Sequence, residues 1–85
     1  MAKVLMYTTQ VCPYCQMALR LLEKKGVTVE KIRVDLEPGL REEMSARAHG
    51  ASTVPQIFIG DHHVGGYREL AQLDMKGELD PLLAL

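Results

Sequence analysis

Two cysteines three positions apart are the residues of this sequence best suited to chemistry. Cys12 and Cys15 enclose Pro13 and Tyr14, directly before a predicted helix. The thiolate, not the thiol, attacks a disulfide, and the first turn of a helix stabilises an anion through its unpaired N–H groups and the positive end of its dipole. Cys15 follows one turn later on the same face. We therefore predict that Cys12 is the exposed attacking thiolate and that Cys15 resolves the mixed disulfide it forms.

Two other roles for the pair fit the residues less well. A structural zinc site needs four ligands, but the only other soft donors are His49, His62 and His63. Neighbouring residues on a strand point to opposite faces, so His62 and His63 do not readily serve one metal. No metal is expected. A buried packing role does not explain the flanking Pro and Tyr, and a bridge closing so short a loop restricts the unfolded chain little.

Size and composition favour one small intracellular domain. The chain has 85 residues, 47% of them hydrophobic, and a formal net charge of −1. We expect residues 1–85 to form a single domain. The interleaved charges do not indicate a nucleic-acid or anionic-membrane surface, and no apolar run is long enough to span a bilayer. With only two cysteines and no recognisable signal peptide, the expected location is the cytoplasm.

Short apolar runs alternate with amphipathic stretches in the order β-α-β-α-β-β-α. The predicted strands cover residues 3–7, 27–34, 57–59 and 63–64, with a turn at Gly60–Asp61. Helices are predicted after Cys12, Gly39 and Gly66. Their apolar stripes are Met17, Ala18, Leu21 and Leu22; then Leu40, Met44 and Ala48; then Leu70, Leu73 and Met75.

These elements predict an α/β fold. The first two strands flank a helix and should be parallel, joined by a right-handed crossover, whereas the last two form a hairpin. The result is a four-stranded mixed sheet with helices on both faces. Leu79, Leu82 and Leu83 are expected to pack back on that sheet as a terminal apolar turn.

The segment Thr53-Val54-Pro55 is a second signal. Pro55 directly precedes a strand, a position where proline is tolerated. The sharper interpretation is a cis Val54–Pro55 peptide that exposes the backbone of Val54 beside the cysteines. An exposed backbone of this kind can pair with an extended peptide, but the sequence alone does not establish the cis form.

The order of Cys12-Pro13-Tyr14-Cys15, Thr53-Val54-Pro55 and Gly65-Gly66 resembles the dithiol glutaredoxins, in particular small bacterial members of the glutaredoxin-3 type. The likeness covers essentially the whole chain, including Pro55-Gln56-Ile57-Phe58-Ile59. It implies a thioredoxin-like fold and a glutathione-dependent thiol–disulfide oxidoreductase with no bound cofactor. It also implies a monomer whose partners are glutathione and disulfide-containing or glutathionylated proteins, with ribonucleotide reductase among the candidates.

The resemblance also implies where glutathione binds. Its cysteine portion pairs with the backbone of Val54, before the proline, and its glycine carboxylate meets Arg41. Its γ-glutamyl end meets the start of the third helix, where N–H groups bind carboxylates. The implied glutathione-binding residues are Tyr14, Arg41, Thr53, Val54, Pro55, Gly66, Tyr67, Arg68 and Glu69.

This sequence departs from the family in two places. Tyr67-Arg68-Glu69 replaces the usual acidic or small polar residues after Gly-Gly, so Glu69 would have to receive the glutathione amine. Thr8, Thr9 and Gln10 stand where many members have a lysine. We expect weaker glutathione binding or a less acidic Cys12 thiol as a result.

Two alternative functions stay open at this stage. One is a protein of the same shape reduced by thioredoxin reductase instead of glutathione, which the departures at Thr9 and Arg68 would suit. The other is a dimer that bridges an iron–sulfur cluster through Cys12 and glutathione, although Pro13-Tyr14 is not the usual cluster-binding version of the motif. Outside the motifs, we expect Tyr7 to be packed, His49 to cap its helix, and His62 and His63 to be solvated.

Overall fold

The computed structural model describes residues 2–85 and contains a four-stranded mixed sheet. Its strands are β1 (Val4–Thr8), β2 (Val29–Arg33), β3 (Gln56–Ile59) and β4 (His62–Gly65), in the spatial order β2-β1-β3-β4. β1 and β2 are parallel, β1 and β3 antiparallel, and β3 and β4 form an antiparallel hairpin. The predicted fold class and element order are confirmed.

Four helices accompany the sheet within residues 2–85. They are α1 (Pro13–Lys24), α2 (Leu40–Arg47), α3 (Tyr67–Met75) and the single turn α4 (Leu79–Leu82). Pro13 occupies the first turn of α1, where its missing N–H removes no hydrogen bond. After α1, Gly26 adopts a φ of 81°, in the left-handed region that ends many helices. Pro13 and Gly26 thus define the two ends of α1, which begins directly after Cys12.

The core lies in two layers, one on each face of the sheet. On the first face, Val4 and Met6 of β1 pack with residues of α1, α3 and α4, including Leu22, Leu70 and Leu79. The second face holds a smaller cluster formed by Tyr7, Val34, Met44, Ala48 and Phe58. Alternate residues of β1 thus supply both layers, as expected for a strand covered on both sides.

Two residues of the predicted apolar stripes do not enter the core. Met17 is 41% exposed and Met75 is 87% exposed. Met17 borders a surface cleft with Tyr67. Met75 is the last residue of α3 and borders an open groove with Ala71 and Gln72. The terminal turn is as predicted, with Leu79 and Leu83 fully buried.

None of the helices within residues 2–85 is both long and apolar enough to cross a membrane.

Candidate active site

Cys12 and Cys15 are placed together by the start of α1. Cys12 is the N-cap residue, in extended conformation, and Cys15 lies in the first turn. Their Cα atoms are 5.2 Å apart and their sulfur atoms are joined in a disulfide. The structure therefore represents the oxidised form of the pair.

The N-terminus of α1 acts directly on the sulfur of Cys12. The backbone N–H of Cys15 donates a hydrogen bond to Cys12 Sγ, with a nitrogen–sulfur distance of 3.2 Å. This is the interaction that stabilises a thiolate when the disulfide is reduced. The expectation of an exposed Cys12 is wrong for the oxidised form: Cys12 is 8% exposed and Cys15 3%. The bond to Cys15 and the neighbouring Val54 carbonyl cover its sulfur.

The loop before β3 reaches the cysteines from the opposite side. The Val54–Pro55 peptide is cis, and the carbonyl oxygen of Val54 lies 3.9 Å from Cys12 Sγ. The side chain of Gln56 donates to the Thr53 carbonyl at 3.0 Å, which holds this loop to β3. Residues 42 positions apart in sequence thereby meet at the disulfide.

A groove of about 760 Å³ lies beside the disulfide, between α1, this loop and α3. Eight of the nine predicted glutathione-binding residues line it: Tyr14, Thr53, Val54, Pro55, Gly66, Tyr67, Arg68 and Glu69. Ala71, Gln72 and Met75 of α3 extend the same wall. The aromatic rings of Tyr14 and Tyr67 stand 6.3 Å apart, centroid to centroid.

Arg41 does not line this groove. Its guanidinium donates to the Ser52 carbonyl at 2.9 Å, which places it at the end of the loop farther from Cys12. This contact joins α2 to Ser52, the residue directly before Thr53 in the chain. Arg41 is exposed, so its charge stays accessible from solvent beside the loop.

Glu69 faces its own helix terminus. Its carboxylate oxygen Oε1 accepts a hydrogen bond from the Gly66 N–H at 2.8 Å, in a capping-box arrangement. In this position the Glu69 carboxylate already accepts the hydrogen bond of one N–H group at the start of α3. Arg68, beside it, is exposed and unconstrained by any hydrogen bond or ion pair in the described residues.

Two cations that the sequence analysis did not single out lie near the cysteines. A smaller cleft of about 210 Å³ is lined by Thr9, Gln10 and both cysteines, together with Lys31 and Arg33 of β2. The β1–β2 register, which pairs Met6 with Lys31 and Thr8 with Arg33, brings them there. The two parallel strands were predicted, but their register was not, and so these residues were missed.

Arg33 and Asp35 fix the segment that leads into Cys12. Arg33 forms a bidentate pair with Asp35, both nitrogen–oxygen distances being 2.8 Å, and Asp35 accepts the Gln10 N–H at 3.3 Å. Hydrogen bonding to the Arg33 guanidinium is the main reason that the pKa of Asp35 lies well below its usual range. The pKa of Arg33 is raised by the same pair.

Tyr7 lies on the second face of the sheet. Tyr7 is packed, as expected; its hydroxyl accepts from Arg47 at 2.8 Å and donates to Glu43 at 3.2 Å. Burial raises the pKa of Tyr7, while Arg47 opposes that rise.

The expectation that His63 is solvated is wrong. His63 stacks on Phe58 with ring centroids 4.9 Å apart, and burial lowers its pKa, assisted by His49 and His62 and opposed by Glu69. His49 contacts His63 and follows α2 with a φ of 57°, where the Gly50 N–H donates to the Ser45 carbonyl at 2.8 Å; its backbone therefore ends the helix as expected. Of the two histidines expected to be solvated, only His62 is exposed.

Comparison with known proteins gives consistent results. A family model described as glutaredoxin matches residues 4–64. Glutaredoxin 3 of Escherichia coli strain K12 is 49% identical over 83 residues, covering 98% of this chain and 99% of that protein. A glutaredoxin of Pseudomonas aeruginosa is 49% identical over 84 residues, 99% of each chain.

Solved structures agree with the sequence matches. The solution structure of a glutaredoxin from Brucella melitensis superposes with a TM-score of 0.85 at 47% identity, covering 98% of this chain and 89% of that one. The crystal structure of a buckwheat glutaredoxin–glutathione complex gives a TM-score of 0.87 at 27% identity, covering 98% of this chain and 77% of that one.

Proposed function

This chain belongs to the glutaredoxin family of thiol–disulfide oxidoreductases, and we propose that Cys12 and Cys15 carry its reaction with glutathione as the electron donor. Glutathione dependence is typical of the family. Neither alternative from the sequence, reduction by thioredoxin reductase or a cluster-bridging dimer, is favoured by the comparisons.

The observation that supports this assignment of roles is the contact between Cys12 and two fixed backbone groups. The Cys15 N–H points at its sulfur at 3.2 Å, and the Val54 carbonyl lies 3.9 Å from it on the groove side. Cys15, in the first turn of α1, is the less exposed of the two. A substrate disulfide in the groove therefore meets Cys12 first.

The proposed reaction is a sequence of thiolate exchanges. The Cys12 thiolate attacks the glutathione sulfur of a mixed disulfide; a new sulfur–sulfur bond forms to glutathione, and the substrate leaves as its thiolate. Glutathione thiolate then attacks the glutathione sulfur on Cys12, giving oxidised glutathione and free Cys12. Alternatively, Cys15 attacks Cys12 Sγ and releases glutathione, giving the disulfide form described above, which two further glutathione molecules reduce.

The groove suits glutathione, a tripeptide with two carboxylates and one amine. Val54 would pair with its cysteine portion through the backbone, and Tyr14 and Pro55 would flank the sulfur. The start of α3 would receive the γ-glutamyl carboxylate through the backbone N–H groups that Glu69 leaves free. Arg41, outside the groove beside Ser52, would meet the glycine carboxylate. The structurally similar buckwheat protein was solved as a glutathione complex, which supports glutathione as the ligand.

The wider assignments are also proposals. Residues 1–85 would act as a single domain, because α3 and α4 share one core with β1 and α1. The protein would work as a monomer in the cytoplasm on disulfide-containing or glutathionylated proteins, ribonucleotide reductase being one candidate. It would need no bound cofactor, only glutathione as co-substrate.

The experiment that tests the cysteine roles compares two matched variants. Cys15→Ser should keep much of the activity toward a small glutathione mixed disulfide, because glutathione can resolve Cys12 directly. Cys12→Ser should lose that activity. Initial rates with glutathione, NADPH and glutathione reductase measure both, and equal loss in the two variants would exclude the one-thiol route.

A further inference from the structure

Three aromatic rings lie in contact on the sheet face covered by α2, away from the cysteine pair. His63 of β4 lies between Phe58 of β3 and His49, which follows α2. Its centroid is 4.9 Å from that of Phe58 and 5.2 Å from that of His49. His63 is half-buried and His49 is exposed. Packing therefore fixes the His63 ring, whereas solvent reaches the pair from the side of His49.

The Nδ1 atoms of the two imidazoles face each other at 3.2 Å. On its other side, His63 Nε2 lies 2.7 Å from Gln56 Oε1. Because the Gln56 amide nitrogen donates to the Thr53 carbonyl at 3.0 Å, its oxygen is the acceptor, and His63 Nε2 carries the proton. In the neutral ring His63 Nδ1 therefore has an unprotonated lone pair.

This spacing also fits two ligands of one tetrahedral metal ion. Zinc binds imidazole nitrogen at 2.0–2.1 Å, so two such ligands at the tetrahedral angle stand about 3.3 Å apart. Metal-binding histidines usually donate their other ring N–H to an oxygen acceptor, which fixes the tautomer and orients the ring. Gln56 supplies that acceptor for His63.

We propose that His49 and His63 bind a Zn²⁺ ion through their Nδ1 atoms, with Gln56 orienting His63. Residues 2–85 contain no group of three or more histidine, cysteine, aspartate or glutamate side chains that could hold a metal. Water therefore completes the tetrahedron, and the site is an exchangeable one, unlike a closed structural zinc site. On binding, the proton of His49 resides on its solvent-facing Nε2. The inference does not depend on the proposed function.

The test is a calorimetric titration of the oxidised protein with zinc chloride at about pH 7.5, where an ordinary histidine is mostly neutral. The disulfide keeps both cysteines from binding metal. One Zn²⁺ per chain is expected, together with shifts of the His49 and His63 ring nitrogens in NMR spectra. Absence of saturable binding up to about 1 mM, or ring shifts confined to His62, would show that the two imidazoles share only a hydrogen bond.

Two substitutions of histidine by asparagine test where the zinc ion binds. His49→Asn removes one ligand, and asparagine tolerates the left-handed φ of 57° at this position. Its zinc affinity should fall at least about tenfold, since even loss of an outer-shell partner has an effect of that size. His62→Asn removes a neighbouring exposed imidazole and should bind zinc as the unmodified protein does. Equal affinities in all three proteins, or a loss in His62→Asn alone, would overturn the proposal.

Discussion

Two cations of β2 lie near Cys12 on the side of Thr9. Lys31 and Arg33 line the same cleft as Thr9 and Cys12, but Arg33 is already paired with Asp35. A lysine at position 9 would add a cation without such a partner. The substitution therefore tests whether this chain lacks a source of thiolate stabilisation.

We expect Thr9→Lys to ionise Cys12 at lower pH and to lower the KM for a glutathione mixed disulfide. The physical reason is the attraction of a nearby cation for the thiolate and for a substrate carboxylate. Iodoacetamide reaction rates across a pH series measure the first effect and steady-state kinetics the second. Thr28→Lys, at an exposed site before β2, is the control for net charge. Ionisation and KM identical to the unmodified protein would contradict the expectation.

The sequence predicted which side chains line the groove better than it predicted what they do there. Cys12, Cys15 and the Val54-Pro55 pair were found because their order is local and distinctive. The turning of Glu69 toward the Gly66 N–H depends on its side-chain torsions, and the approach of Arg33 depends on strand register. Neither is encoded in the identity of a single residue.

Among the helices, α3 contributes its N-terminus to one wall of the groove. Glu69 satisfies the Gly66 N–H there, and Gly66 itself offers no capping side chain. The sequence predicted where this helix begins, since Gly65-Gly66 interrupts the chain. It did not predict that Met75, at the other end, is 87% exposed, because helical spacing alone does not define how far the sheet extends beneath a helix.

Glu69→Ala should destabilise the fold by no more than about 1 kcal/mol, through loss of the cap. Glu69→Gln is the matched control, since its amide oxygen can accept the same hydrogen bond, and it should retain most of the stability. Urea unfolding followed by circular dichroism measures both variants. If alanine and glutamine are equally destabilising, the charge at this position matters and the hydrogen bond does not.

In the molecule as a whole, one lysine joins three helices. Lys25, directly after α1, contacts Asp74 of α3 and Asp80 of α4, each at 2.8 Å. These two pairs are the principal cause of the raised pKa of Lys25. The last two helices lie outside the matched family segment, residues 4–64, so this lysine links them to the part of the chain that carries the cysteines.

Lys25→Met should lower the Tm by a few degrees relative to Lys24→Met, which removes the neighbouring exposed lysine. Exposed ion pairs contribute little singly, but here one ammonium serves two carboxylates. High salt should reduce the difference by screening. Thermal melts at low and high ionic strength measure it, and equal Tm values for the two variants at low salt would show that Lys25 does not link the helices energetically.

The most direct test of the central claim is disulfide reduction coupled to glutathione, NADPH and glutathione reductase, with thioredoxin reductase assayed in parallel. A small glutathione mixed disulfide is the substrate. We predict turnover that requires both glutathione and Cys12, with little from thioredoxin reductase. Absence of turnover with glutathione, accompanied by reduction through thioredoxin reductase, would contradict the account and mean that this glutaredoxin fold uses a different electron donor.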